Sequence, residues 1–417
     1  MGSNRSSDKG NKKSFLNIKF TPFLLLCIMG GLAIFSSTMA KSPVLPLFAG
    51  SLGIPDKTLG FVAAASTVVG ILVSFPAATL SDFVGRRRLL LIAAFVFATA
   101  PFGYLFVHNV WSLVMVRVYH GLATAILGPI AMAAVADTYS TGRGERMAWY
   151  SSATMVGRFL APLLGGALIM GSNYHWVYLV DGILGVLALA AALFITFPQK
   201  AMVPVVKREK RNLGREIITI VTHRCILSTS LVEAVQYFAY GAIETYFPRY
   251  LTENSKFSTL EIGSLFTGQI VVVALTKPIM GRLSDRHGRV PIIISGLILG
   301  GLVTAALSFS LNWFVLIVLI GLFGLGLSTV TASTSALVAD LSRAGNRGSA
   351  LGLLSTIMDI GQSLGPILTG VMLGIFAGKM EYKIAFGAVG GLMIIGSLIY
   401  GFFMRGVSLV PPEPAGS

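Results

Sequence analysis

The sequence predicts an all-α membrane protein, with twelve transmembrane helices in two pseudo-symmetric six-helix bundles. Three observations carry that prediction. The 417 residues are 54% hydrophobic and 12% charged, with a mean hydropathy of +0.78, whereas a soluble chain carries about twice that charge. Apolar runs recur along the whole chain, each near the roughly 20 residues that cross a bilayer core. Ten-residue stretches of alternating polarity are missing from the sequence. Helices rather than a closed barrel must therefore satisfy the backbone in lipid.

In chain order the apolar runs predict spans over residues 21–40, 58–80, 89–107, 111–136, 148–170, 176–197, 225–250, 260–281, 290–310, 313–339, 348–375 and 384–404. The basic start, MGSNRSSDKGNKKSF, is not read as a secretory leader, because no small-residue cleavage site follows the first run. Connections are short except PQKAMVPVVKREKRNLGREIITIVTHR, which is polar, basic and central. The expected organisation is a tail (1–20), a six-helix bundle (21–197), a basic linker (198–224), a second six-helix bundle (225–404) and a second tail (405–417).

A net charge of +15 would suggest a nucleic-acid partner for a soluble chain. Here the basic residues concentrate in alternate loops, and no nucleic acid is expected. With a cytoplasmic N-terminus, 23 of the 32 Lys and Arg fall in inner tails and loops and 5 in outer loops. By the positive-inside rule both termini are then cytoplasmic. The expected setting is the inner (cell) membrane of a bacterium or archaeon. Cys27 and Cys225 lie in apolar runs and show neither a disulfide framework nor metal-ligand spacing.

The second half repeats the first. Asp82 and Asp285 are 203 residues apart, and the same offset pairs Gly85 with Gly288, Arg86 with Arg289, Gly121 with Gly324 and Asp137 with Asp340. An offset of 204 pairs Gly157 with Gly361, Pro162 with Pro366 and Gly166 with Gly370. Parallel repeats of this kind are typical of secondary transporters, whose substrate sites lie near the midplane where the halves meet.

The charged side chains in or beside the spans are the candidate site. Lys41 ends the first span. Arg117 stands in the fourth span with His120 three residues on, near the same face. An unpartnered charge at a helix centre costs about 2.5–3.5 kcal/mol, so Arg117 needs a wet cavity or a partner. Histidine is the side chain that titrates nearest neutrality, although His120 also suits plain helix packing. The fifth span reads GRFLAPLLGG, with Gly157, Arg158, Pro162, Gly165 and Gly166. Its small residues allow close helix approach, and Pro162 permits a kink. Asp181, about a turn inside the sixth span, reads as structural. In the seventh span Glu233, Tyr237, Tyr240 and Glu244 fall on one helical stripe, and rings with a carboxylate suit an organic cation. Glu233 is the deeper acid; Glu244 also reads as a solvated helix end. Lys277 can snorkel to the inner surface. Asp359, in the eleventh span, is the second candidate for protonation, with an ion pair to Arg158 or Arg117 as the alternative.

Four motifs resemble the major facilitator superfamily, and the resemblance covers essentially the whole chain. GRLSDRHGRV, with Gly281, Asp285, Arg286, Gly288 and Arg289, is similar to that family's loop motif G-x-x-x-D-R-x-G-R-R. The first copy, ATLSDFVGRRRL, keeps Asp82, Gly85, Arg86 and Arg87 but has Ala78 for the leading Gly and Phe83 after the Asp. RVYHG from Arg117 resembles the R-x-x-x-G motif of helix 4. GRFLAPLLGG resembles the G-x-x-x-G-P-x-x-G-G motif of the drug/proton antiporter branch, with Ala161 for one Gly, and SPVLP from Ser42 resembles that branch's P-x-x-P. The resemblance implies that Asp82 faces helix 11 and Asp285 faces helix 5, closing the inner side when the outer side is open. Such a latch is worth about 1–2 kcal/mol. The alternative is that Arg87, Arg88 and their neighbours only set topology. It also implies that Arg117 takes part in proton coupling.

Together these readings lead to an expected proton-coupled exporter of small amphipathic organic molecules. A proton from outside reaches Glu233 or Asp359, and substrate leaves as the halves rock. The partners expected are a small-molecule substrate, protons and the lipid bilayer, for a monomer driven by the proton gradient without a cofactor. The runner-up is a transporter of a specific organic anion or zwitterion, cradled by Arg117, His120, Arg158 and Lys277. A non-transporting membrane sensor is a third reading. The first span lacks the acid that several multidrug antiporters carry there, which argues against broad cationic specificity. An enzyme is not expected, since the sequence holds no nucleotide loop, triad or metal cluster.

Overall fold

Thirteen α-helices account for most of the described residues of this computed structural model, and twelve are at least 18 residues long. The structure describes residues 21–139, 142–169, 173–196, 223–342, 347–376 and 380–405. The two expected tails, save Arg405, and residues 198–222 of the expected linker lie outside them. The helices are α1 (Pro22–Met39), α2 (Val44–Ser51), α3 (Asp56–Val84), α4 (Arg86–Tyr104), α5 (Val110–Thr138), α6 (Arg143–Leu168), α7 (His175–Leu193), α8 (Arg224–Asn254), α9 (Thr259–His287), α10 (Arg289–Ala306), α11 (Trp313–Leu341), α12 (Arg347–Ile375) and α13 (Glu381–Phe403). Ten spans are long and apolar enough to cross a membrane, while α6 and α8 are long enough but more polar.

The helix ends differ from the sequence expectation for physical reasons. The second and eighth spans, expected over 58–80 and 260–281, run over Asp56–Val84 and Thr259–His287. Hydropathy sees only the apolar stretch, whereas a helix continues until something stops it. Gly85 (φ 97°) and Gly288 (φ 89°) stop these two, reversing the chain within one residue. Their positive φ is open to glycine at little cost. The first span breaks after Met39 and resumes as α2 at Val44, next to Pro43, which has no N–H to continue the ladder. Helix starts are fixed by side chains. Asn109 and Ser258 form capping boxes at α5 and α9 with Ser112 and Glu261, and Thr21 caps α1.

The sequence repeat is a repeat of structure. α3, α4 and α5 begin 203 residues before α9, α10 and α11. Arg86 binds Asp137 at 3.1 Å, and its counterpart Arg289 binds Asp340 at 3.2 Å. Arg86 also bonds Ser81 as Arg289 bonds Ser284. These ties brace the end of the molecule that carries the charged loops, here the motif end. At the opposite, far end, one continuous apolar cluster runs from Met39, Leu59 and Tyr178 of the first half into Phe247, Phe266 and Phe323 of the second. At the motif end each half has its own cluster, around Ala93 and Ile130 in the first and around Val338 and Leu354 in the second.

Candidate functional site

The stripe on α8 lies between the halves and gathers charge of both signs. Glu233 is 3% exposed, and Thr334 of α11 donates to its carboxylate at 2.5 Å. The exposed Lys277 of α9 lies within electrostatic reach of Glu233, which attracts it, and of Arg158 of α6, which repels it. Tyr237 and Tyr240 pack edge to face at 5.8 Å. Tyr237 is within electrostatic reach of Glu233, Arg158 and Asp359. Tyr240 donates to Glu244 at 3.4 Å. Asp359 of α12 is half-buried and feels the Lys41 ammonium. The expected ion pair from Asp359 to Arg158 or Arg117 is not among the described salt bridges.

Glu244 is no solvated helix end. It is 7% exposed, pairs with Lys41 of the first half at 2.7 Å, and accepts from Gln362 at 3.5 Å. A buried pair of this kind costs about 3–5 kcal/mol when one partner is removed, so it ties α8 to the first half in this state.

The far end is shut by two seams. In one, α3 packs on α12: a Cβ at Gly60 would collide with the Pro366 carbonyl, and one at Gly370 with Tyr246 and the Asp56 carbonyl at 2.7 Å. In the other, α6 packs on α9: a Cβ at Gly263 would collide with the Pro162 carbonyl, and one at Gly166 with that of Thr259. The remaining residues of the Gly/Pro phrase pack helices within a half. Gly157 faces Gly31 and Phe35 of α1, Gly165 faces Met39 and Val44, and Gly361 faces Ala234 of α8.

Arg117 and His120 stand apart from the stripe. They are 3% and 2% exposed inside the first bundle. Arg117 donates to the Ala63 carbonyl at 3.3 Å and to Ser66 of α3. The His120 ring lies edge-on to Phe97 and Tyr104. The described ion pairs of the charged loops lie within their halves: Arg289 pairs with Asp285 and Asp340, and Arg86 with Asp137. A Cβ at Gly281 would meet nothing within 4 Å, and Arg286 is exposed. The Asp82 side chain lies outside what is described.

Sequence reasoning missed Thr334, Gln362, Asp56 and Arg249. Each gains its role from a helix distant in sequence, and no local pattern marks it. A surface pocket lined by Tyr250, Glu253, Ser308, Tyr382 and Lys383 opens at the far end of the second half, away from the stripe. Among the described residues no group of three or more His, Cys, Asp or Glu could hold a metal.

The profile of the Major Facilitator Superfamily matches residues 26–252 and 229–417. The chain is 24% identical to the uncharacterized MFS-type transporter MJ1560 of Methanocaldococcus jannaschii, over 82% of this chain and 89% of that protein. It is 23% identical to the quinolone resistance protein NorA of Staphylococcus aureus, over 85% of this chain and 90% of that one. Its fold matches the crystal structure of the nucleoside transporter NupG with a TM-score of 0.80 at 12% identity, covering 92% of this chain and 99% of that one. It also matches a bacterial homologue of the human lysosomal transporter Spinster, solved in an inward-facing, unoccupied conformation. That match has a TM-score of 0.76 at 17% identity, over 92% and 96% of the two chains.

Proposed function

The chain belongs to the Major Facilitator Superfamily, and from that premise we propose that it is a proton-coupled exporter of small amphipathic organic molecules. It is a membrane transporter and not an enzyme. The observation that carries the finer reading is the mixed-charge stripe, in which Glu244 pairs with Lys41 while Glu233 and Asp359 lie within electrostatic reach of Lys277 and Lys41 respectively. A carboxylate buried between halves and shared with a lysine changes its partner when it takes a proton. That change supplies the differential interaction that a rocking equilibrium needs. Tyr237 and Tyr240 add ring faces for an apolar or cationic cargo. The similarity to NorA supports an organic, drug-like substrate.

Taken with the Lys and Arg asymmetry, the motif end, where α1 begins and α13 ends, is read as the cytoplasmic side. The far end is then outside, and the closed seams describe an inward-facing state. The acids of the stripe exchange protons with the cytoplasm in this state and with the outside when the seams part.

The test uses proteoliposomes with a trapped pH dye and two probes, ethidium as an amphipathic cation and fluorescein as an amphipathic anion. A pH gradient is expected to drive ethidium, and ethidium to drive protons. Glu233→Gln and Asp359→Asn are expected to abolish the proton movement. Unchanged substrate-driven proton flux in both variants would overturn the coupling assignment. Transport of fluorescein alone would favour the organic-anion reading, for which Arg158 and Lys277 stand close together.

A further inference from the structure

The first bundle buries a cluster of polar side chains, here called the pocket, that the transport reading leaves unused. It lies among α1, α4, α5 and α7. Asp181 of α7 is fully buried, and neither carboxylate oxygen has a hydrogen-bond partner. The Ser36 hydroxyl of α1 lies beside it, outside hydrogen-bond geometry and equally unpartnered. Tyr104 of α4 and Tyr178 of α7 stack at 4.3 Å with rings 1° from parallel, both hydroxyls buried and unpartnered. Both ring nitrogens of His120 and the Nε of Arg117 are in the same condition.

These are eight buried polar atoms in one bundle. At about 1–3 kcal/mol for each unsatisfied group, dry burial of them all would cost as much as a whole domain's stability, about 5–15 kcal/mol. The site is therefore built to hold something polar. Buried water bonds about three such groups at a time. An ionised carboxylate with no donor is the costliest member of the set, and a proton removes that cost.

The charges around Asp181 limit what else can sit there. Tyr104 of α4 and Tyr178 of its own helix lie within electrostatic reach of Asp181, and α1 offers the neutral Ser36, while Arg117 of α5 reaches the two tyrosines and His120 packs edge-on to Tyr104. The fixed guanidinium disfavours a metal cation. Among the described residues no second acid acts on Asp181.

We propose that this pocket is a proton-binding site of the first bundle, in which Asp181 carries an exchangeable proton solvated by water bound among Ser36, Tyr104, Tyr178 and His120. The step is balanced: a water-borne proton adds to the carboxylate and returns to water, and no electrons move. Arg117 links the pocket to Ser66 and Ala63 of α3, the helix that forms the α3–α12 seam. The site does not rest on the acids of the stripe, and it stands even where Glu233 and Asp359 carry no proton.

Infrared difference spectroscopy of the purified protein tests it without a substrate. The wild-type spectrum is expected to contain the C=O stretch of a protonated carboxylic acid that moves in D2O and is lost in Asp181→Asn. Loss of a carboxylate band alone in that variant would overturn the proposal, because Asp181 would then be ionised. A band that never responds to D2O would overturn it too. Ser36→Ala is a smaller change that keeps the test open if Asp181→Asn does not fold. It is expected to shift the same band, and an unshifted band would count against the site.

Discussion

The α3–α12 seam and the α6–α9 seam share a skeleton. In each, a glycine lies under a proline carbonyl, Gly60 under Pro366 and Gly263 under Pro162. The two contacts are related by the repeat offsets of 203 and 204. Their side chains differ. At the first seam Tyr246 donates to the carbonyls of Asp56 and Pro366 at 3.0 Å. Arg249 pairs with Asp56 at 3.0 Å and donates to the Ile54 carbonyl at 2.9 Å, and Tyr382 donates to Glu253 at 2.8 Å. At the second seam the described cross-links are hydroxyls: Thr259 donates to the Gly166 carbonyl at 2.7 Å, and Thr267 to that of Phe159 at 3.0 Å. At the offset of 203, the residues corresponding to Tyr246 and Arg249 are Pro43 and Pro46, which carry no side-chain donor. The duplicated backbone decides where helices touch. The side chains of α8 decide that one touch is held by charge.

The largest test strikes the shared skeleton. Gly60→Val and Gly263→Val each force a side chain into a backbone carbonyl, at about 3 kcal/mol of overpacking. Spin-label distances across the far end are expected to show both variants opened, and to a similar extent. Clearly unequal opening would break the symmetric half of the comparison.

Next comes the charged seam alone. Arg249→Met removes the pair to Asp56, whose side chains are only 16% and 17% exposed. A cost of about 2 kcal/mol is expected for a pair that is partly solvated. The same spin-label distances should then shift roughly 30-fold in population toward far-end opening. No shift would show that the ion pair is neutral toward the state equilibrium.

Thr259→Val probes the hydroxyl seam and deletes one neutral hydrogen bond, for about 1 kcal/mol. Its effect on the same distances is expected to be several times smaller than that of Arg249→Met. An equal effect would mean that the seams do not differ in strength.

The smallest effects belong to the charged loops. Asp285 is 57% exposed, and such pairs are worth at most about 1 kcal/mol. Asp285→Asn is expected to slow transport more than Asp82→Asn, because the second loop keeps the complete motif. Equal defects would remove that asymmetry.

Much of this was legible from single residues. Asp82 and Asp285 announced the repeat, while the twin Arg86–Asp137 and Arg289–Asp340 ties within it come from the packing of helices. The stripe on α8 was legible because a polar line at helical spacing has few places to go in lipid. For Glu244 the stripe and the solvated end both stood open, because its partner Lys41 lies about two hundred residues away and only helix packing brings the two together. Arg117 and His120 were grouped with the stripe, since α5 is apolar all round and its sequence does not show which face meets the other half.

The sequence by itself determined the solvent, the helical class and the duplication. Those depend on local hydrophobicity and on residue identity at a fixed offset. Only the tertiary structure decided which charges meet: Lys41 with Glu244, Arg249 with Asp56, and Asp181 alone with its hydroxyls and rings. Electrostatic partnership depends on distance and burial in three dimensions, and chain order fixes neither.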